Sequence, residues 1–277
     1  MRIRSNPHTH TSFSDGRDTP REQIERALAL GFMALGFSDH AVQEVDAFTG
    51  IPKEREEAYR REVRALAREY AGRIRVYLGL ELDGEFGLAR LEQYDYIILS
   101  NHYVRGGNAR ALVDCRPRRD QVFAVRDLAY GGDGAAMAAA YFERLGAQAL
   151  EIRPAIVGHF DIVKYFNGGG ALYDCADPRV RRAQAAALEN IKKSGALLEV
   201  NTGGMARGYV DEPYPAREIL RLWREMGGEV VLGSDCHDRA LLNYGFDAMV
   251  ALLREEGFAG VYEMGGVGEP VFVKRRL

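Results

Sequence analysis

The chain has 277 residues, of which 47% are hydrophobic and 28% are charged. Its 37 basic and 40 acidic side chains leave a net charge of −3, which argues against the basic surface of a nucleic-acid-binding protein. The three cysteines lack CxxC spacing, and no apolar stretch is long enough for a signal sequence or a membrane span. We therefore expect a cytoplasmic protein that has neither a nucleic acid nor a membrane as its partner.

Apolar runs alternate with amphipathic segments along the chain. The first helix is marked by Thr19 as its N-cap, Pro20 at its first position, Glu22 three residues after the cap and Gly31 at its end. This alternation predicts an α/β fold with parallel strands joined by crossover helices, in a single domain over residues 1–277. In chain order, the predicted elements are a helix at 19–31, a strand at 32–37, a helix at 53–71, strands at 74–80 and 94–100, a helix at 135–146, a strand at 155–160, a helix from 177, a strand at 196–200, a helix at 215–226 and a strand at 229–234.

Two histidines, His8 and His10, stand one residue apart in the stretch PHTHTSFSDG. Residues i and i+2 of a strand point to the same side of a sheet, so both imidazoles would face one point in space. This geometry suits a metal ion, although the motif alone also fits two exposed histidines on an edge strand. Asp235 and His237 repeat the same spacing in GSDCH.

Residues with metal-binding side chains recur at the ends of the predicted strands. The carboxyl ends of parallel strands meet at one edge of the sheet, where α/β proteins have their active sites. Six imidazoles and three carboxylates are more ligands than one tetrahedral zinc site uses, so we predict two or three divalent ions. The mixed nitrogen and oxygen ligands permit Zn, Mn, Fe or Co. The candidate ligands are His8, His10, Asp15, His40, Glu81, His102, His159, Asp235 and His237.

Taken in order, HTHTSFSDG, GFSDH, GLE, SNH, GHFD and GSDCH resemble the motifs of the PHP family, named for polymerase and histidinol phosphatase domains. The resemblance runs from residue 8 to residue 237. It implies a distorted TIM-like barrel of seven β/α units, a (β/α)7 barrel, that holds three metal ions. By position in the family, the first ion would be held by His8, His10, Glu81 and Asp235, the second by Glu81, His102 and His159, and the third by Asp15, His40 and His237.

The stretches IVGHFDIVKYFN and LLEVNTGGMARGYVDEPYP resemble the histidinol-phosphatase branch of that family. The expected reaction is the hydrolysis of L-histidinol phosphate, a small phosphorylated metabolite, to L-histidinol and phosphate in histidine biosynthesis. Asp15 departs from the pattern, because many histidinol phosphatases have a histidine near this position and the S-D-G form also occurs in relatives that act on nucleotides. Two alternatives stay open: a PHP phosphoesterase acting on nucleotides or oligonucleotides, and a non-catalytic metal-bearing accessory domain.

Multinuclear centres of this kind suit phosphoester hydrolysis, because the cations activate a water molecule and neutralise the phosphoryl group. Arg207 follows a strand on a glycine-bearing loop, where it is either a solvated turn residue or, as the resemblance favours, a phosphate ligand. Asn201 on the same loop is the second predicted substrate ligand. The proton for the leaving group would come from a metal-bound water or from Asp235 or His237, and the sequence leaves these three sources open.

Three further predictions concern the surroundings of the metal ligands. Asp39 precedes His40, and neighbouring residues of a strand point to opposite sides, so we predict that Asp39 orients a ligand imidazole rather than binding metal. Asp161 either does the same or caps the helix that follows it. The predicted wall of the substrate pocket consists of Tyr209, Asp211 and Glu212.

Overall fold

The computed structural model of the chain describes residues 1–43, 49–84 and 90–277. Its strands are β1 (Ser5–Asn6), β2 (Ala34–Phe37), β3 (Arg75–Asp83), β4 (Tyr96–Ser100), β5 (Tyr103–Gly106), β6 (Ala109–Leu112), β7 (Ile156–Val157), β8 (Leu197–Asn201), β9 (Val230–Gly233), β10 (Gly260–Met264) and β11 (Phe272–Arg276). Its helices are α1 (Pro20–Ala29), α2 (Glu56–Glu69), α3 (Arg119–Ala129), α4 (Gly134–Ile152), α5 (Pro178–Ser194), α6 (Gly203–Ala206), α7 (Arg217–Glu225) and α8 (Phe246–Glu255).

Nine strands form one sheet in the order β1-β2-β3-β4-β7-β8-β9-β10-β11. All neighbours in this sheet are parallel except β10 and β11, so the predicted α/β fold with a parallel sheet is confirmed. Strands β5 and β6 form a separate antiparallel hairpin. Beyond β1 and β9 the chain forms a parallel bridge between Thr9 and Cys236, with the His10 N–H donating to the Cys236 carbonyl at 2.8 Å. Closure of the sheet into a barrel of seven β/α units stays a prediction.

The predicted helices and strands are present, with shifted ends. Helix α1 has the predicted capping box, in which the Thr19 side chain accepts from the Glu22 N–H and Glu22 accepts from the Thr19 N–H at 2.9 Å. The strand predicted at 155–160 is only two residues long, because β4 and β8 pair with it at Ile156 and Val157 alone. The helix predicted at 135–146 continues to Ile152, since no residue of that stretch interrupts its helical backbone.

A small apolar cluster lies on one face of the sheet, with residues from every strand between β2 and β10 in the sheet order: Ala34, Tyr77, Tyr96, Ile98, Ile156, Leu197, Val231 and Met264. A strand alternates its side chains with a period of two, so residues two or four positions further on lie on the same face. Glu81 follows Tyr77 in β3, Ser100 follows Ile98 in β4, and Glu199 follows Leu197 in β8. This face of the sheet therefore changes from apolar to polar at the carboxyl ends of the strands.

The larger apolar cluster lies between the sheet and the surrounding helices. Helix α4 contributes much of one side and packs closely on α5, where Gly146 allows the approach because a Cβ there would lie 2.7 Å from Ala187 Cα. Within the described part of the chain, no helix has the length and apolar character needed to cross a membrane.

Candidate metal centre

The structure brings all nine predicted metal ligands together at the carboxyl ends of the parallel strands. Glu81 differs from the prediction in its position, because β3 continues to Asp83 and Glu81 lies inside the strand rather than after it. The other ligands lie in the segments that follow β1, β2, β4, β7 and β9. The side chains of Asp15 and His237 are about a quarter exposed, and those of the remaining seven are buried.

The Glu81 carboxylate lies at the middle of the cluster. Its Oε2 is 2.9 Å from His40 Nδ1, and its Oε1 is 2.9 Å from His159 Nε2. The Nε2 atoms of His8, His10 and His102 each lie 3.4 Å from one of its oxygens. One carboxylate thus contacts five imidazoles, an arrangement suited to bridging two cations.

Two other carboxylates extend the cluster toward solvent. Asp235 Oδ1 lies 3.2 Å from His10 Nε2, and its backbone adopts a φ of 48°, an uncommon value for a residue with a side chain. Asp15 Oδ1 lies 3.3 Å from His237 Nε2, and Asp15 Oδ2 lies 3.8 Å from His40 Nε2. Both acids therefore share histidines with the rest of the cluster.

Four overlapping groups in the cluster have donor atoms within 4.8 Å of one another. Several buried atoms that could ligate a metal, among them His8 Nε2, His10 Nε2 and Glu81 Oε2, have no hydrogen-bond partner within the described residues. Buried polar atoms without partners are costly, and a cation would satisfy all three. The donor set therefore fits divalent metal ions. The groups are His10–Asp15–His40–His237, His8–Glu81–His159, His8–His10–Asp235 and His40–Glu81–His102.

The charges of the protein keep the carboxylate ligands ionised and one ligand histidine neutral. Despite burial, the Glu81 charge raises the pKa of His40 to about 9, so a metal ion would have to displace its proton. Burial, followed by neighbouring histidines, lowers the pKa of His10 to about 3. Burial would raise the pKa of Asp235, but the Arg207 guanidinium beside it holds that pKa well below its usual range. Burial likewise opposes ionisation of Glu81, yet His40 and other imidazoles keep the pKa of Glu81 low. Near pH 7 the carboxylates are ionised and His10 is neutral, as metal ligands must be.

Sequence analysis missed Glu199, a buried residue in the apolar strand β8. Its Oε1 lies 2.7 Å from His8 Nδ1, while its Oε2 accepts from the His159 N–H and from Asn201 Nδ2, each at 2.9 Å. A carboxylate accepts, so His8 donates from Nδ1 to Glu199, and Nε2 is the ring nitrogen that faces the cluster. The signal in the sequence was a single acidic residue within the apolar run ALLEV.

Asp39 differs from its predicted role. Its carboxylate accepts from the Thr11 N–H at 2.8 Å and from Ser14 Oγ at 2.6 Å, and among the described residues it is bonded to no imidazole. The side chain turns toward the loop after β1 because that loop offers unpaired N–H and hydroxyl groups. Asp39 therefore fixes the loop that carries Asp15.

Of the two residues predicted to bind substrate, Arg207 lies at the cluster and Asn201 lies inside the fold. Arg207 Nη2 donates to Asp235 Oδ2 at 2.9 Å, and its guanidinium remains partly exposed at the cluster. Asn201 is fully buried, donates to Glu199 and accepts from the Gly203 N–H at 2.8 Å. Arg207 is thus brought to the centre, whereas the Asn201 amide is engaged within the fold.

Asp161 has neither of its two predicted roles. The short 3-10 helix that follows it lacks a side-chain cap, and the Asp161 carboxylate instead accepts from the Ala216 N–H at 2.9 Å and pairs with Lys164 at 3.0 Å. Helix α7 begins at Arg217, two residues later than predicted, because the backbone of Ala216 is not yet helical (ψ 151°).

A cavity of about 300 Å³ opens beside the cluster. Tyr209 lines it as predicted, but Asp211 and Glu212 are not among the described lining residues, and Glu212 pairs with Lys164 at 2.9 Å. The volume is at the small end of ligand sites, which suits a compact metabolite. Besides Arg207 and five residues of the cluster, the lining includes Leu112, Asp114, Ile162, Tyr165, Tyr209 and Tyr214.

The chain matches the family model described as PHP domain over residues 6–203. It is 31% identical to a protein of Deinococcus radiodurans named "Probable histidinol-phosphatase", over 90% of this chain and 92% of that protein. It is 26% identical to the "Histidinol-phosphatase" of Bacillus subtilis, over 88% of this chain and 97% of the relative.

Two crystal structures share the fold. The chain aligns with hisK from Listeria monocytogenes at a TM-score of 0.74 and 21% identity, covering 88% of this chain and 99% of that one. It aligns with the histidinol phosphate phosphatase of Lactococcus lactis, complexed with zinc, L-histidinol and phosphate, at a TM-score of 0.68 and 19% identity, covering 94% and 96% of the two chains.

Proposed function

The chain belongs to the PHP domain family, and from this premise we propose that it is a divalent-metal-dependent phosphatase that hydrolyses L-histidinol phosphate to L-histidinol and phosphate. The observation that carries this proposal is the convergence of six imidazoles and three carboxylates beside one small cavity. Relatives named histidinol-phosphatase, which align over most of both chains, support the substrate. The Lactococcus lactis structure with zinc, L-histidinol and phosphate supports it as well.

We propose that the cluster would hold two or three ions of Zn, Mn, Fe or Co, with Glu81 as a ligand in more than one donor group. The overlap of the four donor groups supports more than one ion, because a single cation cannot reach every donor. In this assignment the first ion would be held by His8, His10, Glu81 and Asp235, the second by Glu81, His102 and His159, and the third by Asp15, His40 and His237.

When bound, the ions would supply positive charge at the phosphoryl group and make a water molecule a better nucleophile. Arg207 would bind the phosphate through the N–H groups that its bonds to Asp235 leave free. The guanidinium has five N–H donors, and two of them are engaged with Asp235 at 2.9 and 3.1 Å. Asp235 thereby holds the guanidinium against the cavity, in a fixed orientation for a phosphate oxygen.

The leaving alkoxide needs a proton before it departs as L-histidinol. Asp235 and His237 both line the cavity next to Arg207, but the Asp235 carboxylate is ionised near pH 7, so His237 is the candidate that can carry this proton. Asn201, although predicted to bind substrate, is proposed to position Glu199 instead, since its amide is fully buried and bonded to that carboxylate.

We also propose that residues 1–277 form one domain in the cytoplasm. The continuous sheet from β1 to β11 supports a single domain, and the three cysteines, all of them free, agree with a reducing compartment.

The test is a steady-state assay of metal-loaded protein on L-histidinol phosphate, nucleoside monophosphates and short oligonucleotides under one metal condition. We expect the highest kcat/KM for L-histidinol phosphate, and a Glu81→Gln variant should be inactive on every substrate. A tenfold preference for a nucleotide would leave a phosphoesterase with another substrate. A protein that binds metal but hydrolyses none of these compounds would be the accessory domain that the sequence leaves open.

A further inference from the structure

One carboxylate in the cavity wall is not used by the metal cluster. Asp114 lines the cavity together with Arg207 and His102, and among the described residues none forms a hydrogen bond or ion pair with its carboxylate. Resting on the proposed function, we propose that Asp114 binds the protonated amine of the substrate and selects phosphomonoesters that carry this amine near the phosphate.

The position of Asp114 follows from the β5–β6 hairpin. The hairpin begins immediately after His102 and folds back in a register that sets Tyr103 opposite Leu112. The next N–H, that of Val113, donates to the His102 carbonyl at 2.9 Å. Asp114 is the residue that follows, so backbone pairing brings it to the wall of the cavity beside the metal centre.

The complement of this carboxylate is a cation. A partly buried acid without a partner loses solvation, and an ammonium group restores it through a charge-assisted hydrogen bond. In L-histidinol phosphate the carbon that bears the amine is bonded to the CH2 group of the phosphoester. A cavity of about 300 Å³ therefore brings amine and phosphate close to Asp114 and Arg207, which both line it.

The other acids near the cavity are already committed. Asp235 is bonded to Arg207, and Asp15 faces His237 and His40. Among the acids that the sequence pointed to, Glu212 is paired with Lys164 and Asp211 does not line the cavity. Asp114 is thus the acid of the described lining that is available to a ligand cation.

Tyr214 supports a polar organic ligand on the same wall. Its hydroxyl is buried, lines the cavity, and has no hydrogen-bond partner among the described residues. Burial, followed by the charges of Asp161 and Asp114, raises the pKa of Tyr214, so the hydroxyl remains a donor at neutral pH. A nitrogen of the substrate imidazole is an acceptor of suitable chemistry. A second phosphate, in contrast, would be repelled by Asp114, which disfavours nucleoside diphosphates.

The experiment compares L-histidinol phosphate with its deamino analogue, imidazolylpropyl phosphate, in the wild type and in Asp114→Asn. For the natural compound we expect kcat/KM of the variant to fall about ten- to a hundredfold, mainly through KM, as expected for a lost charge-assisted hydrogen bond. For the analogue the two proteins should agree within about threefold. Asp114→Glu should recover part of the selectivity, and Asp211→Asn is the matched control because it removes the same charge outside the cavity.

Equal losses on both compounds, no loss on either, or the amine-selective loss in Asp211→Asn would overturn the role of Asp114. If the wild type hydrolyses L-histidinol phosphate, any of these results leaves the proposed function standing. A wild type inactive on L-histidinol phosphate would overturn both the proposed function and the role of Asp114. If Asp114→Asn fails to fold, inhibition of the wild type by its product tests whether the cavity binds the amine. L-histidinol should then inhibit at least tenfold more strongly than imidazolylpropanol, and equal inhibition would overturn the proposal.

Discussion

His8 Nδ1 lies 2.7 Å from Glu199 Oε1, and both side chains are completely buried. Glu199 belongs to β8, which four strands separate from β1 in the order of the sheet. Its carboxylate nevertheless decides which nitrogen of His8 faces the metal cluster. The same carboxylate holds the backbone of His159 through its second oxygen. One acid that is not itself a candidate metal ligand therefore orients two of the ligand histidines.

For Glu199→Gln we expect lower metal content and roughly ten- to a hundredfold lower activity, the usual cost of losing an acid that orients a ligand histidine. The amide can still accept from His8, but without the negative charge. Metal content per chain by mass spectrometry and kcat report the two effects. The control is Glu189→Gln, an exposed acid on α5. Unchanged metal content in Glu199→Gln would contradict the orienting role.

Gly233→Ala tests the space that this arrangement requires. A Cβ at Gly233 would overlap with Glu199 Oε1 and lie 3.1 Å from His8 Cβ. We expect a loss of about 1–3 kcal/mol in the free energy of unfolding, together with reduced metal content. Gly168→Ala is the matched control, since nothing lies within 4 Å of a Cβ there. A Gly233→Ala protein with wild-type Tm and metal content would mean that Glu199 can move without consequence.

Arg207→Ala should lower kcat/KM about ten- to a hundredfold, because about 1.5–3 kcal/mol of charge-assisted hydrogen bonding to phosphate is lost. Asp235 also loses its partner, so metal content must be measured in the same sample. Arg207→Lys keeps the positive charge but not the planar pair of donors. Its kcat/KM should therefore lie between the values of the wild type and Arg207→Ala. A fully active Arg207→Ala enzyme would show that phosphate binding does not need this residue.

Asp15→Asn should reduce the number of ions bound per chain without emptying the cluster. Asp15 faces His237 at 3.3 Å and His40 at 3.8 Å, whereas the donors around Glu81 remain intact. Elemental analysis of the variant against Asp120→Asn, a fully exposed acid, measures the difference. Equal metal content in the two variants would return Asp15 to the role of a loop residue.

Chelation should inactivate the protein and lower its Tm, and readdition of Zn or Mn should restore both. Ions that bind only the folded chain stabilise it by about 2.7 kcal/mol when present at 100 times their Kd. Unfolding scans with and without chelator provide the measurement. In Glu81→Gln the chelator should change the Tm less, and a wild-type Tm that does not respond would argue against tightly bound ions.

The parallel sheet and the ligand set could be predicted because apolar runs alternate regularly with amphipathic segments in the sequence. Each apolar run predicts a buried strand, and a ligand at or near its carboxyl end lies at the same edge as the others. Glu81 shows the limit of this reasoning, since β3 continues past it and only pairing with β4 as far as Asp83 reveals the true end.

The supporting residues could not be predicted because their roles depend on partners distant in sequence. Glu199 is 191 positions from His8, and Asp39 is 28 positions from Thr11. The β5–β6 hairpin was also missed, and with it Asp114, because its short strands are rich in arginine and lack an apolar run. Strands β10 and β11 were missed as well, since a glutamate interrupts the short apolar stretch of β10 and three of the five residues of β11 are basic.

The centre has a consequence for how this chain can be divided. The region that matches the family model stops at residue 203, yet Asp235 and His237 lie beyond it. A fragment ending at 203 would retain every residue of His8–Glu81–His159 and His40–Glu81–His102, but would lack a member of the other two donor groups. It would also lose β9, whose following segment bridges Thr9 through Cys236. The boundary drawn by sequence similarity therefore cuts through a shared set of donors, and the smallest part of the chain that can fill the whole centre must reach at least His237.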